Sequence, residues 1–429
     1  MFDLIVRNAT LPDGRTGVDI AAKDGRIAEI APALGPAATE IDAAGRLVSP
    51  PFVDSHFHLD ATLALGTEGV FNESGTLAEG IALWGRIAPK LTAENYRDRA
   101  LRYIDLAVSK GLLAIRSHVD ITDPRLIGAE TLADIKREVA PYLDLQLVAF
   151  PQMGFFSRPD MADSVRRVLD MGFEVVGGIP HLEPTAEHGR ASITALCEIA
   201  AERGAMVDMH CDENDDPNSR MIETLVWETK RLGLGGRVTG SHLTSMHSMD
   251  NFYAGRLVKM MADAGVHAIL NPAANLHLQA RFDTYPKRRG LARAPELMAA
   301  GATVAFAQDS VLDPWYPLGA CDMLDMGWIA AHACHLTDRK GLRACFDAVT
   351  EAPAKIMELD GYGLAPGAWA DMVVLAAADP IDALRLRAPR THVIRRGRVI
   401  AETPLPAPRL SIKGRPETLE RDIWAPSSL

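Results

Sequence analysis

The sequence predicts an α/β protein in which a (β/α)8 TIM-type barrel carries a small β-sandwich domain formed by the N- and C-terminal segments. Short apolar runs with strand spacing occur at both ends of the chain, and short strands alternate with helical stretches through its middle. The length of 429 residues suits a large barrel with one small accessory domain.

The two chain ends account for the predicted β-sandwich. Strand-like runs cover residues 2–6, 17–21, 26–30, 371–375 and 392–400. Turn sequences such as Pro12-Asp13-Gly14 separate the first runs. Neither end alone has enough surface to bury a stable sheet face. We therefore expect residues 1–49 and 363–429 to form one domain beside a barrel at residues 50–362.

The middle of the chain predicts eight strands that end in polar residues, each followed by a stretch long enough for a helix. The predicted strand ends lie near His56 and His58, His118 and Asp120, Gln152, His181 and Glu183, His210 and Glu213, His242, Asn271, and Asp309. Catalytic side chains of such barrels gather at the carboxyl ends of the strands, so we expect the site there. Residues 72–80 are polar and contain glycine, and are predicted to form a lid or substrate loop.

Composition excludes several classes of function. A formal net charge of −11 argues against a nucleic-acid surface, which needs clustered Lys and Arg. The five cysteines form no CxxC pair, which argues against a disulfide framework or a thiolate zinc site. Neither a signal peptide nor an apolar membrane span is found in the sequence. We expect a cytoplasmic homo-oligomer that binds a small neutral molecule and neither nucleic acid nor membrane.

The strongest local signal is the pair His56 and His58. Two histidines at i and i+2 on a strand point to the same side, which at a barrel strand end is the side of the axis. An isolated pair of this kind is as often two ordinary polar residues. The presence of His210 and Asp309 at later strand ends favours a metal site instead. Three neutral histidine nitrogens and one carboxylate suit a zinc or ferrous ion.

Other polar residues near these ends have two possible roles. Glu213 can move protons beside an activated water, or it can be a solvated loop acid like its acidic neighbours. His242 can polarise that water, act as a further ligand or be a hydrogen-bonded strand-end histidine. We take His118 and His181 as ordinary polar histidines. The predicted fourth strand, at residues 175–181, contains no lysine that could bridge two metal ions once carboxylated, so one ion is expected.

Four longer motifs are similar to the amidohydrolase superfamily, and within it to bacterial cytosine deaminases. They lie at residues 148–152, 210–213, 281–290 and 313–319. The resemblance implies a distorted (β/α)8 barrel, a β-sandwich from both termini and hydrolytic deamination of a free base. It implies four ligands of a single Fe(II) or Zn(II) ion: His56, His58, His210 and Asp309.

The same resemblance implies roles for the remaining site residues. Glu213 looks like the proton shuttle, and His242 with Asp309 would activate the water. Gln152 looks like the residue that reads the pyrimidine carbonyl and the adjacent ring nitrogen. Trp315 would pack near the base, and the Leu77 backbone would help to hold it.

One departure from the family pattern concerns the substrate. Cytosine deaminases of this type usually carry two consecutive acids after the eighth strand, but this chain has Asp309-Ser310. The family places the second side chain near C5 of the ring, so the smaller neutral Ser310 leaves room for a methyl group. Burying one methyl stabilises by about 0.8 kcal/mol. We therefore predict conversion of 5-methylcytosine to thymine, with a neutral substitution in a plain cytosine deaminase as the alternative.

Several other functions stay open at this point. They include deamination of isoguanine or a triazine, hydrolysis of a cyclic amide as in dihydroorotase or hydantoinase, and metal binding without catalysis. DNA deaminases are disfavoured because their HxE and PCxxC zinc motif is missing. The sequence assigns no function to Met153 or Gln308.

Overall fold

The computed structural model describes residues 1–69, 71–405, 408–415 and 417. The last part of the predicted C-terminal tail, residues 418–429, lies outside the described residues. The strands of the N-terminal segment are β1 (Phe2–Ala9), β2 (Val18–Lys23), β3 (Arg26–Ala31), β4 (Ala37–Asp42) and β5 (Val48–Ser49). The barrel strands are β6 (Phe52–Phe57), β7 (Leu112–Asp120), β8 (Asp144–Phe150), β9 (Val175–Gly178), β10 (Met206–Cys211), β11 (Val238–His242), β12 (Val266–Leu270) and β13 (Val304–Phe306). The C-terminal strands are β14 (Met372–Leu375), β15 (Arg390–Arg395) and β16 (Arg398–Glu402).

Two four-stranded sheets form the β-sandwich. One has the order β3-β2-β1-β4, and the other has the order β16-β15-β14-β5. Apolar side chains of β1, such as Leu4 and Val6, share a buried core with Met372 and Val374 of β14. The two chain ends therefore bury each other's apolar faces, which confirms the predicted fold of this domain. The domain limits at residues 49 and 363 stay a prediction.

The structure corrects the predicted strands at three places. The run at 392–400 is a hairpin, because Arg396 (φ 48°) and Gly397 (φ 73°) form a two-residue turn with positive φ at both positions. Strand β4 was missed because most of its residues are exposed, so it lacks the alternation that marks a half-buried strand. Strand β5 has only two residues, too few for any pattern.

The eight barrel strands form one parallel sheet in sequence order from β6 to β13. The first and last strands meet at a parallel bridge between Phe57 and Asp309. There the backbone N–H of Asp309 donates to the carbonyl of His56 at 2.9 Å. This closure confirms the predicted barrel and brings the end of β6 beside the residues that follow β13.

Most of the helices occupy the connections between the barrel strands, and the last four follow β13. The helices are α1 (Leu77–Ile87), α2 (Ala93–Ser109), α3 (Ile127–Val139), α4 (Met161–Asp170), α5 (Ala186–Arg203), α6 (Met221–Leu232), α7 (Asn251–Ala264), α8 (Pro272–Leu278), α9 (Ala294–Ala299), α10 (Met323–Ala333), α11 (Arg339–Asp347), α12 (Glu351–Ile356) and α13 (Pro380–Leu386). Within the described part of the chain, no helix has both the length and the apolar character needed to cross a bilayer.

The predicted loop at residues 72–80 is partly helical. Helix α1 begins at Leu77, because the Thr76 side chain accepts a hydrogen bond from the Glu79 N–H and caps the first turn. The preceding loop is tied to the barrel mouth, since the Asn72 amide donates to the Pro314 carbonyl at 3.0 Å. The segment therefore places a capped helix over the carboxyl ends of the strands.

Candidate active site

Four side chains from three distant stretches converge at the carboxyl end of the barrel. Their ligand atoms, from His56, His58, His210 and Asp309, all lie within 4.8 Å of one another. The Asp309 Oδ1 atom is 3.3 Å from His56 Nε2 and 3.5 Å from His58 Nε2, and the Nε2 atoms of His58 and His210 are 3.2 Å apart.

The strands explain this convergence. His56 lies in β6 and His58 directly follows it, so the alternation of the strand turns both toward the axis. His210 lies in β10, where its ring stacks on Phe150 with the centroids 4.3 Å apart. Asp309 has a positive φ of 67°, a conformation that its backbone hydrogen bond to His56 holds.

These residues fit a divalent metal ion. Both ring nitrogens of His56 and Nδ1 of His210 are buried without a hydrogen-bond partner among the described residues. Leaving a buried polar group unpaired costs about 1–3 kcal/mol, so the cluster as it stands is unfavourable. A cation bound to nitrogen and carboxylate donors would offset that cost, and the donor set suits zinc or ferrous iron.

The protonation states also agree with metal binding. Burial holds the pKa of each of His56, His58 and His210 well below its usual value, and the neighbouring histidines lower these pKa values further. The three rings are therefore neutral, which is the form that ligates a metal. Burial and the nearby Glu213 raise the pKa of Asp309 well above its ordinary range, so a cation would stabilise its carboxylate.

Glu213 lies beside this cluster and is separated from its acidic neighbours. It is buried, with Oε1 at 3.3 Å from His242 Nδ1. Asp212 instead turns toward α6, where its carboxylate accepts hydrogen bonds from the N–H groups of Met221 and Ile222. Burial raises the pKa of Glu213 to about 8, so near neutral pH it carries a proton that it can donate.

A small cavity opens over the cluster. Its walls come from residues of several barrel loops and helices: His58, Leu77, Gln152, Ile179, His210, Glu213, His242, Leu278, Asp309, Ser310 and Trp315. All the residues predicted for the substrate, Gln152, Leu77, Ser310 and Trp315, are thus brought together. Their predicted roles remain proposals.

Trp315 forms one wall and is held from two sides. Asp313 accepts hydrogen bonds from the backbone N–H groups of Trp315 (2.9 Å) and Tyr316 (3.0 Å). On the other side the indole packs on Gly80 of α1, where an added Cβ would lie only 2.4 Å from Trp315 Cδ1. Helix α1 and the loop after β13 therefore fix the width of the cavity jointly.

Sequence reasoning missed a buried polar layer beneath the cluster. Arg116 donates to Asp208 at 3.0 Å, and the Ser241 hydroxyl donates to the same carboxylate at 2.6 Å. Burial alone would raise the pKa of Asp208, but interaction with His118 and the charge of Arg116 hold it below its ordinary value. Asp208 Oδ1 lies 3.9 Å from His56 Nδ1, so the negative charge of this carboxylate lies close to the candidate metal ligand His56.

His118 was underestimated in the same way. Its ring lies 4.1 Å from that of His56 and 4.7 Å from that of His210, measured between centroids. Both its nitrogens are buried without a geometric hydrogen bond among the described residues, and Nε2 lies 3.7 Å from Asp208 Oδ1. The i+2 spacing of Arg116 and His118 in β7 was the available signal, because it turns both inward.

The other unassigned residues lie at the edge of the site. His181 Nδ1 is 3.1 Å from the carbonyl oxygen of His210, and burial lowers the pKa of His181 to about 4. Gln308 is buried and its N–H donates to Asp54, whereas Met153 is partly exposed. None of the three lines the cavity.

Comparison with known proteins gives a consistent result. A model of the amidohydrolase family matches residues 39–401. The chain is 28% identical over 412 residues to N-isopropylammelide isopropyl amidohydrolase of Pseudomonas sp. (strain ADP), covering 94% of this chain and 98% of that protein. It is also 28% identical to pterin deaminase of Rhizobium rhizogenes, covering 92% and 93% of the two chains.

A solved structure is more similar. The chain is 42% identical to 5-methylcytosine deaminase from Klebsiella pneumoniae, a structure with bound 5-fluorocytosine, and the TM-score is 0.91. The match covers 94% of this chain and 98% of the other. Similarity therefore extends over the barrel and both segments of the sandwich.

Proposed function

The chain belongs to the amidohydrolase family and is a metal-dependent aminohydrolase, and we propose that its substrate is free 5-methylcytosine, which it converts to thymine and ammonia. The observation that carries this proposal is the cavity in which Ser310 lines the same space as Gln152, Glu213 and Trp315. The 42% identity to a 5-methylcytosine deaminase supports it.

The cavity offers few but complementary contacts for a pyrimidine. The Gln152 carboxamide has both donor and acceptor atoms, so it can pair with a ring carbonyl and the adjacent ring nitrogen. Trp315 supplies an aromatic face, which favours a planar base.

Glu213 is the residue that donates and accepts protons in the proposed reaction. Because burial raises its pKa to about 8, the acid is protonated at neutral pH and can donate to the ring nitrogen beside the amine. Water adds its oxygen to the amine-bearing carbon and gives one proton to Glu213, which passes it to the amine. The bond from that carbon to the amine nitrogen then breaks, ammonia leaves, and the second proton of the water returns to Glu213.

His56, His58, His210 and Asp309 would hold the ion, which we propose is Zn(II) or Fe(II). A divalent ion held there supplies an activated water near neutral pH. The protein contributes the fixed positions of the four ligands, the neutral state of the histidines and the burial of all four side chains.

Ser310 supports the methyl-bearing substrate. It is 3% exposed and follows the Asp309 ligand directly. A carboxylate here would place a second negative group next to Asp309 and would fill the space that a C5 methyl needs. Pockets of this kind discriminate one methyl group by about 10–200-fold.

The test is ammonia release from cytosine, 5-methylcytosine and isoguanine by wild type, Ser310→Asp and Ser310→Ala. Wild type and Ser310→Ala should prefer 5-methylcytosine, whereas Ser310→Asp should shift kcat/KM toward cytosine by tenfold or more. An unchanged preference in Ser310→Asp would refute the role of this residue. Ser310→Ala is the matched control because it removes the hydroxyl without adding bulk or charge.

A second candidate substrate is an N-substituted triazine. It is favoured by the similarity to N-isopropylammelide isopropyl amidohydrolase over nearly the whole chain. Release of isopropylamine from N-isopropylammelide, measured beside ammonia release, distinguishes the two substrates. The lower identity of 28%, against 42% for the methylcytosine enzyme, makes it the weaker proposal.

All five cysteines are free thiols, as expected in a reducing compartment. The proposal therefore places the enzyme in the cytoplasm. The predicted homo-oligomer stays a prediction that light scattering of the purified protein can test.

A further inference from the structure

The ring of His242 is held by two carboxamides that the proposed mechanism does not use. They belong to Asn271, which precedes α8, and to Asn275 within that helix. Both are fully buried, and His242 is 1% exposed. These contacts are buried, so the polarity of the amide group that faces a ring nitrogen decides whether that nitrogen donates or accepts.

The orientation of the Asn275 carboxamide follows from one backbone group. The N–H of Asn271, which can only donate, lies 3.2 Å from Asn275 Oδ1. If the amide were reversed, two donors would face each other at that distance. The Asn275 oxygen is therefore fixed on the backbone, and its NH2 group must face His242.

That NH2 group contacts one nitrogen of the ring. Asn275 Nδ2 lies 2.9 Å from His242 Nδ1. Because an amide NH2 can only donate, Nδ1 must be the acceptor. Asn271 Nδ2 is 3.3 Å from Nδ1 and 3.2 Å from Nε2, so it favours neither nitrogen. In a neutral imidazole the proton then belongs to Nε2.

The groups around His242 are otherwise ambiguous. Glu213 Oε1 lies 3.3 Å from Nδ1 and Asp309 Oδ1 lies 4.0 Å from Nε2. Burial holds the pKa of His242 well below its usual value, and His58, His181 and His118 around the ring lower this pKa further. A carboxyl oxygen that can accept a hydrogen bond lies toward each side of the imidazole, so without Asn275 either tautomer would find an acceptor.

We propose that Asn275 is a positioning residue that fixes His242 as the Nε2–H tautomer. His242 then presents a hydrogen-bond donor toward Asp309 and the ligand cluster. With its Nδ1 lone pair occupied, it takes no proton from Glu213. The catalytic consequence is that the Glu213 proton is kept for the substrate, and this consequence rests on the proposed function. The tautomer of His242 does not depend on the proposed function.

Nitrogen NMR tests the tautomer directly. Two-bond ¹H–¹⁵N correlations of ¹⁵N-histidine-labelled protein, recorded without metal and with Zn²⁺, report which nitrogen of each ring is protonated. The His242→Gln variant identifies the His242 signals among the 13 histidines. Wild type should show protonated Nε2. A protonated Nδ1 in wild type would overturn the proposal, whatever the variants do.

Two leucine variants complete the test. Asn275→Leu keeps a similar volume but removes the donor, and it should lose the Nε2–H signature. Asn271→Leu removes an equally buried amide that contacts both nitrogens, and it should keep that signature. Wild-type shifts in Asn275→Leu would contradict the proposal. If Asn275→Leu does not fold, the wild-type spectrum still decides.

Kinetics then test the link to catalysis. Asn275→Leu should lower kcat by about 10–100-fold, the range for residues that orient a group at a metal site, with KM changed much less. Because the NMR experiment uses no substrate, failure to deaminate any pyrimidine would refute the proposed function and leave the tautomer result intact.

Discussion

Replacing Gly80 by alanine should disturb the cavity through Trp315, and the same helix provides a control for this effect. A methyl group on Gly80 would lie 2.4 Å from Trp315 Cδ1 and 2.8 Å from Trp315 Nε1. A methyl group on Gly85, also in α1, would meet only Met153 Cε at 3.7 Å, an ordinary contact. Both substitutions make the same chemical change in one helix.

The magnitude follows from these distances. Glycine to alanine within a helix stabilises by about 1 kcal/mol, and Gly85→Ala should show this gain. At Gly80 the ring must retreat by about 1 Å to reach a carbon contact of about 3.5 Å. Overpacking of this kind costs about 1–3 kcal/mol, so Gly80→Ala should be neutral or less stable by up to about 2 kcal/mol.

The effect on activity should be larger than the effect on stability. A misplacement of about 1 Å in an active site can cost about 100-fold in rate, and Trp315 lines the cavity directly. We therefore expect kcat/KM of Gly80→Ala to fall by about 10–100-fold, while Gly85→Ala keeps the wild-type value. Urea denaturation and ammonia release measure the two effects. Equal stabilisation in both variants, with unchanged kinetics, would refute the proposed contact.

Two further predictions concern the buried charges. Burial gives Glu213 a pKa of about 8 in the folded protein, against about 4.3 in the unfolded chain. The folded metal-free protein therefore binds this proton more tightly, and its stability should fall as the pH rises between those two values. Urea midpoints measured in chelator should decrease from pH 5 to 6.5 to 8, and Glu213→Gln should make this decrease smaller. The same decrease in Glu213→Gln and wild type would contradict the raised pKa of Glu213. Asp208→Ala should destabilise the protein by about 3–5 kcal/mol, because it leaves the buried Arg116 without its carboxylate partner. A loss below about 1 kcal/mol in urea denaturation would contradict this role of Asp208.

Much of the barrel and its ligand cluster could be predicted because the signals are local. A strand turns alternate residues to one side, so the three residues from His56 to His58 are enough to indicate that both histidines point in the same direction. His210 and Asp309 follow apolar runs whose ends must meet on one face of a parallel barrel. The same logic failed for β4, whose exposed residues carry no alternation.

The rest of the site depends on contacts that no local pattern encodes. The donor from Asn275 to His242 joins α8 to β11, and the close approach of Gly80 to Trp315 joins α1 to the loop after β13. Buried asparagines and helical glycines occur at many positions for purely structural reasons. Only the folded structure shows that these two residues contact the active site. The role of Asp208 was not predicted for a related reason. A single charged residue inside an apolar run looks like a break in the strand pattern and does not indicate a buried ion pair.

The barrel closes where Asp309 pairs with Phe57 and donates to His56, so the ligand cluster joins the first barrel strand to the residues after the last. During synthesis on the ribosome, the complete ligand set exists only after almost the whole barrel has emerged. A metal ion held by all four ligands would therefore be bound only late in synthesis. A chain truncated before Asp309 would keep three histidines but would have neither the carboxylate nor the bridge that closes the ring.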